Sequence, residues 1–541
     1  HAWFLDGFSP AKNPDMWNDT LFQQIRRISR QARLDKSDPN HTRMPTVATY
    51  AATSAIKRGL CGAGFTLQKT TGFGRKREMT CGRYSLQAGP EINPRAEQRP
   101  WLRMPNSMKV PNSLNNHRSV AIIGAGLAGC TSARSLAERG YHIILLDKDG
   151  IAQGASGNPQ GGLYIKSAVD DNATHSDFYR QAYLYALQRV DSLTSSEGWQ
   201  ACGVLQLAFN EKERQRQQRF LQSQQPPEDF VRGINITQSD AWCDVMQSDD
   251  QLAQTNASVE DTSFGGLFYP KAGWVSLVDF CKALIDHPNI HFKQTRVEKL
   301  QQTPTSITLE CRSGEIPATA SSSHSIECSQ VVIATAWQTK ELLPDAYLPI
   351  KSIRGQLTYL DAQTVPPLST VLCAKSYVPP PQDGRLLIGA TYHINDSDTS
   401  LRAQDHDTNI ENLRQFGAAW SNAADHAKVI GGRVGFRCTT PDYLPIVGPV
   451  CDTQATLKSL KPMAKNAHQI PVADMPWQPG IWLNIGHGSR GLVSAPFSAE
   501  LLTSMMTGNT VSCSSKAMEA LLPCRFLIRD MIRRKVTAAD D

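Results

Sequence analysis

From Arg118 the chain reads RSVAIIGAGLAGCTSARSLAERGYHIILLDKD, and few folds accept such a string. Val120 to Ile123 are apolar and β-prone, as in a parallel strand buried on both faces. Gly124-Ala-Gly126-Leu-Ala-Gly129 follows with G-x-G-x-x-G spacing. The first glycine permits a tight turn and the second lets backbone approach a pyrophosphate. The third lets the next helix pack on the strand. That helix presents free N–H groups and its positive dipole end to phosphate. A second strand, Tyr141 to Leu146, ends on Asp147, placed to hydrogen-bond a ribose 2′-hydroxyl. A glycine turn alone is common in α/β proteins. Strand, turn, helix, strand and acid in this order specify a dinucleotide site, without separating NAD from FAD.

Two later features favour a large cofactor. Gly154-Ala-Ser-Gly-Asn-Pro-Gln-Gly-Gly-Leu-Tyr164 is too rich in small residues to build a core. It suits backbone passing close to a flat ring and a diphosphate. Near the end, strand Ile481 to Ile485 leads into Gly486-His-Gly-Ser-Arg-Gly491 and then an apolar helix, Ala499 to Met506. Strand QVVIATA, Gln330 to Ala336, lies between. The two glycine turns stand more than 350 residues apart, and a single nicotinamide site does not need the second.

At 541 residues the chain exceeds one ordinary core, so two or more domains are expected. Its 13 cysteines contain no C-x-x-C pair, which argues against a zinc site or disulfide framework and for a reducing cytoplasm. No apolar run approaches the roughly 18 residues of a membrane span. Charge divides sharply. Residues 1–85 carry 14 Lys and Arg against 6 Asp and Glu, leaving 42 against 44 for the rest. A basic front on a neutral body points to an anionic partner such as nucleic acid, though a solvated basic surface reads the same way.

The front alternates strand, helix, strand, helix, which is α/β order. Ala2 to Phe8 reads as a strand and turn carrying Asp6, and Trp17 to Arg33 as an amphipathic helix. Val47 to Tyr50 reads as a strand, with a helix start at Thr53-Ser54. Gly59 to Phe65 reads as a glycine turn and Thr71 to Met79 as a basic tail. Residues 86–117 hold Pro90, Pro94, Pro100, Pro105 and Pro111 and no period, as in a linker that Trp101 and Leu102 pin to a neighbouring surface.

HAWFLDGFSPAKNPDMW, ATSAIKRGLCGAGF and GFGRKREM resemble the second half of the methyltransferase domain of the MnmC family, bifunctional bacterial enzymes of tRNA wobble-uridine modification. GASGNPQGGLY, IRGQLTYL, LLIGATY, GFRCTTPDYLPIVG and GHGSRGLVSAP resemble that family's oxidoreductase domain. More broadly they resemble the FAD-dependent amine oxidases that include glycine oxidase and D-amino-acid oxidase. The resemblance implies an α/β chain. Residues 1–85 would be the C-terminal part of an S-adenosylmethionine-dependent methyltransferase domain, a partial class I Rossmann-like segment. Residues 118–541 would be a two-part FAD-binding Rossmann-type domain (118–166, 296–338 and 478–510). An antiparallel-sheet substrate subdomain would occupy mainly 167–295 and 345–450.

For the cofactor it implies that Gly124, Gly126, Gly129 and Asp147 hold the adenosine half, with Val297, on a strand HFKQTRVEKL, meeting the adenine through its backbone and Ala334 also in contact. Ala155, Ser156, Gly157, Gln160, Gly161 and Gly162 would meet the diphosphate and flavin. Gly488, Ser489, Arg490 and Gly491 would face the flavin's pyrimidine edge. It gives Arg437 the substrate carboxylate, which a planar, always-charged fork fits bidentately. A structural ion pair is the other reading of Arg437. Tyr392 and Lys271 line the pocket or serve surface and packing. His487 and Arg354 read as structural. Asp6 would orient a primary amine and take its proton on methylation, or merely cap a turn.

The substrate implied is tRNA bearing 5-carboxymethylaminomethyl-2-thiouridine, from which oxidation removes the carboxymethyl group as glyoxylate. Methylation of the resulting amine would follow. The glycine loop that binds S-adenosylmethionine would precede His1, so this chain alone is expected not to methylate. An oxidase of free glycine or sarcosine, and a non-catalytic tRNA-binding remnant, remain as alternatives. Neither a membrane nor a metal is expected.

Overall fold

The computed structural model describes residues 2–5, 44–50, 53–72, 78–85, 99–102, 119–165, 173–234, 265–303, 306–313, 322–509 and 513–538, with scattered positions from 17 to 29. Ser119–Ile123 and His142–Asp147 are parallel neighbours joined through helix Leu127–Ala137. Around them stands a six-stranded sheet. Its order is Ile290–Gln294, His142–Asp147, Ser119–Ile123, Gln330–Ile333, Trp477–Ile485, Ile446–Cys451. The first five run parallel and the last antiparallel. Strands more than 300 residues apart in sequence thus meet in one sheet, with the glycine turn at its C-terminal edge.

Helix Gly491–Thr507 packs on helices Leu127–Ala137 and Ala173–Leu193. Leu492 through Ala499 are all buried, as a helix enclosed on every side requires. This helix begins at Gly491, directly on the second glycine turn, not at Ala499. The segment HFKQTRVEKL is likewise not one strand. Ile290–Gln294 joins the six-stranded sheet, while Arg296–Gln302 opens a three-stranded antiparallel sheet with Ile307–Ser313 and Ser322–Cys328. Thr295 turns the corner, its N–H donating to the Asp147 carbonyl at 2.9 Å.

A nine-stranded sheet forms the other half of the body. Its two longest strands, Lys351–Asp361 and Val429–Thr439, pair antiparallel with Ile353 opposite Arg437 and Gly355 opposite Gly435. The sheet is antiparallel except where Val371–Cys373 runs parallel to Val204–Leu207.

In the front module, Ala2–Phe4, Thr46–Thr49, Glu78–Tyr84 and Phe65–Thr71 form a four-stranded sheet in that order, its first pair parallel. Gly59 is no turn residue. Helix Ser54–Gly62 runs through it and buries Ile56 and Leu60. A Cβ on Gly59 would come within 2.3 Å of the Phe22 ring, so glycine is there for close packing. Of the basic stretch at 71–79, residues 73–77 lie outside the described residues, and the strands on either side of them, Phe65–Thr71 and Glu78–Tyr84, pair antiparallel. Most of Trp17 to Arg33 lies outside the described residues, as do Asp6 and nearly all of 86–117. Trp101 is buried, donating its indole N–H to Glu519 at 2.8 Å, and Arg99 pairs with the same carboxylate. Among the described residues no helix is long and apolar enough to cross a membrane, and no group of His, Cys, Asp and Glu could hold a metal.

Candidate active site

The dinucleotide cradle is tighter than the motif alone requires. A Cβ on Gly129 would lie 1.7 Å from the Gly124 carbonyl oxygen, so any side chain there would drive helix from strand. Gly124 has φ +104° and faces the Ala334 carbonyl, 2.6 Å from where its Cβ would be. Asp147 accepts from the N–H of Ala125 at 2.7 Å and of Asp149 at 2.9 Å. Burial raises its pKa while those amides oppose the rise. The acid expected at the ribose therefore also ties the glycine turn to the next strand. Ser156 Oγ accepts from the Leu127 N–H at 2.9 Å, which brings the small-residue loop onto the helix N-terminus. Val297 is half-buried at the start of its strand, two residues past the Thr295 corner. A glycine-lined turn, a helix N-terminus and an acid at the neighbouring strand's end fit an adenosine diphosphate.

Strand Val429–Thr439 spans cradle and pocket. Alternation puts Arg433, Gly435 and Arg437 on one side. The Arg433 guanidinium donates to Asn158 Oδ1 at 3.0 Å and to the carbonyls of Gln153, at 2.8 Å, and Gly154. It thereby clamps the small-residue loop, and burial draws its pKa down. Sequence reasoning missed this arginine. The alternation in GRVGFRC was the available signal. Gln160 is buried, its amide donating to the Pro380 carbonyl at 2.9 Å, while the Tyr377 hydroxyl donates to the Gln160 carbonyl at 2.6 Å. Those bonds fix strand Gly161–Leu163 beside the cradle.

Four residues beyond Arg433, Arg437 donates to the Thr391 carbonyl at 3.1 Å. Its guanidinium carbon lies 6.0 Å from the centre of the Tyr392 ring. Gly355, opposite Gly435, leaves it room, since a Cβ there would come within 2.5 Å of Arg437 Nη1. Burial lowers its pKa, with Tyr377 and Tyr392 opposing. Among the described residues no carboxylate pairs with it. Burial raises the pKa of Tyr392, and so does the nearby Tyr443 hydroxyl, with Arg437 opposing.

The second glycine turn closes the site. Gly488 N–H donates to the Cys438 carbonyl at 2.7 Å, so the turn abuts the arginine strand. Ser489 is exposed there. The Arg490 guanidinium stacks 4.7 Å from the Tyr179 ring centre, and Gly491 starts the helix. His487 bonds Ser494 Oγ at 2.8 Å and Asn484 Oδ1 at 3.0 Å. Although part of its surface is accessible, burial of the ring away from water pushes its pKa down to about 4. Arg354 is fully buried against Asp405, also donating to the carbonyls of Asp398 at 2.7 Å and Ser400 at 2.6 Å. Both residues are structural. Lys271 is turned to solvent and pairs with Asp229 at 2.6 Å, which removes it from the pocket.

Residues 119–505 match a family model described as FAD dependent oxidoreductase, and residues 1–85 one described as S-adenosyl-L-methionine-dependent methyltransferase. The chain is 35% identical to the tRNA 5-methylaminomethyl-2-thiouridine biosynthesis bifunctional protein MnmC of Ectopseudomonas mendocina, over 98% of this chain and 74% of that one. The protein of the same name from Chromobacterium violaceum is also 35% identical, over 99% and 75%. Among solved structures, glycine oxidase from Geobacillus kaustophilus superposes with TM-score 0.53 at 20% identity, covering 78% of this chain and 96% of that one. L-proline dehydrogenase from P. horikoshii superposes with TM-score 0.55 at 15% identity, covering 78% and 100%. These two establish the fold of the body.

Proposed function

The chain belongs to the MnmC family of bifunctional tRNA-modifying proteins, and on that footing we propose that its oxidoreductase half removes the carboxymethyl group from 5-carboxymethylaminomethyl-2-thiouridine in tRNA. The activity is FAD-dependent oxidoreduction in wobble-uridine modification. S-adenosylmethionine is the cofactor implied by the match at residues 1–85, and methylation of the amine so exposed falls to the complete methyltransferase domain to which those residues belong, not to this chain alone. The observation that carries the substrate reading is Arg437, a half-buried cation without a carboxylate partner among the described residues, four residues along one strand from the Arg433 that clamps the cradle's loop. Burying a lone charge is costly, and a substrate carboxylate relieves that cost.

Gly124, Gly126, Gly129, Asp147, Val297 and Ala334 would hold the adenosine diphosphate, with Ala155 to Gly162 and Gly488 to Gly491 around the flavin. Bound FAD supplies the two-electron acceptor for the hydride leaving the substrate's α-carbon. Arg437 fixes the carboxylate and so the direction of that C–H bond. The oxidised arm is an imine, and water divides it into glyoxylate and an aminomethyl group. Among the described residues no side chain of the site is poised as a base. Tyr377 and Tyr392 hold their protons more tightly than free tyrosine, and both His487 nitrogens are engaged. The amine must arrive neutral, so turnover rises with pH along the substrate's own titration.

Anaerobic mixing with hypomodified tRNA tests the reading: flavin absorbance should bleach and glyoxylate appear. Bleaching by free glycine or sarcosine, with none by the tRNA, would replace it with the free-amine oxidase. A colourless protein that still bound tRNA would support the remnant.

A further inference from the structure

Two large aromatic side chains stand open to solvent beside Arg437: the Tyr392 ring centre lies 6.0 Å from its guanidinium carbon, and Tyr443 is near enough to act on the Tyr392 hydroxyl. Tyr392 is 54% exposed and Tyr443 67% exposed. Tyr443 has φ +57°, a conformation that bulky residues adopt only where surrounding structure imposes it. Here it does. The Tyr443 N–H donates to the Thr440 carbonyl at 3.2 Å, and its carbonyl accepts from the Tyr179 hydroxyl at 2.6 Å. Asp442 and the Leu444 carbonyl, on either side, are both held by Arg525, at 2.9 Å to each, and Thr440 Oγ1 also donates to Leu444 at 2.7 Å. Several hydrogen bonds, one of them buried, thus hold the loop that presents this largely exposed aromatic ring.

We propose that Tyr443 and Tyr392 form a stacking subsite for the base of the modified nucleotide, beside the Arg437 carboxylate clamp. The inference rests on the substrate reading above and deepens it. A free amino acid ends at its carboxylate and amine and gives an exposed aromatic pair nothing to hold. A nucleoside carries a flat ring joined to the carboxylate by a short arm, so a clamped carboxylate brings the ring to the pocket mouth. Stacking on tyrosine is also how an unpaired base is usually held once it leaves its neighbours.

The test compares binding of fluorescently labelled anticodon stem-loops to the FAD-loaded 541-residue chain. One stem-loop carries uridine at the wobble position and the other an abasic site there. Wild type should bind the uridine form roughly tenfold more tightly, the size of one base stacked on an aromatic ring. Tyr443→Ala should bind the two forms alike, and Tyr443→Phe should restore the difference. Equal binding of both forms by wild type, or a difference that survives in Tyr443→Ala, overturns the subsite. Since the side chain is exposed, truncation leaves the core intact, and unchanged flavin absorbance verifies this. Bleaching of wild-type flavin by the carboxymethylaminomethyl stem-loop is read separately. Its absence would overturn the substrate reading and leave the binding comparison standing.

Discussion

At the scale of single residues, the site divides arginines by what surrounds them. Arg354 is spent on Asp405 and two carbonyls, whereas Arg437 holds one carbonyl and an aromatic face. Loss of a charged hydrogen bond costs about 1.5–3 kcal/mol, so Arg437→Ala should lower kcat/KM for the modified tRNA by roughly 10- to 150-fold. Arg437→Lys should recover part, because a point charge lacks the fork. Stopped-flow flavin reduction measures both, and full activity in Arg437→Ala would remove the clamp. His487 makes a prediction of opposite kind. Its folded pKa, about 4, lies below the unfolded value of about 6.5. Between the two the unfolded chain takes up a proton that the folded chain refuses, so stability falls as pH drops through that window. Thermal melts from pH 7 to 4 should show His487→Gln losing less stability than wild type. Parallel curves would mean that the histidine is charged in the fold.

Among elements, strand Val429–Thr439 has the widest reach, because one alternating face carries both the loop clamp and the substrate clamp. Arg433→Ala should release the 153–158 loop and weaken FAD retention by at least tenfold, on the scale of lost charged hydrogen bonds. Flavin content after gel filtration in dilute buffer checks it. Retention equal to wild type would show that the loop holds its shape alone. The strand also shows what was legible. Strand–turn–helix–strand at 119–147 could be read directly, since each part has a local signature and the cradle is contiguous. Arg437 could be reached through its neighbours' resemblance. Arg433 could not, because its role depends on which loop the sheet brings beside it, and Asn158 lies 275 residues away. Lys271 went the other way: a lysine in an aromatic turn looks like a pocket residue until its exposed partner Asp229 is seen. Gly59 resembles a turn only while Phe22 is not known to lie over it. Short-range chemistry shows in a sequence, whereas contacts between distant segments do not.

For the molecule as a whole, the unequal charge of its two parts matters most. The oxidoreductase body has no electrostatic reason to seek RNA, whereas the first 85 residues carry an excess of eight positive charges. Between the two parts, Arg99 and Trp101 fasten the chain to Glu519 near its end. If the basic front module neutralises RNA phosphates and so releases the cations condensed on them, log kcat/KM for tRNA must fall steeply with log salt, by about 0.7–0.9 per phosphate contact. Oxidation of a small amine such as sarcosine, where it is detectable, should barely respond. Arg75, Lys76 and Arg77 lie between two strands of the front sheet. Changing all three to Gln should flatten the tRNA slope by roughly 2 while leaving flavin content unchanged. Steady-state assays from low to moderate salt measure both slopes. An unaltered slope in the triple variant would mean that RNA is held by the body, and that the basic front is only a solvated surface.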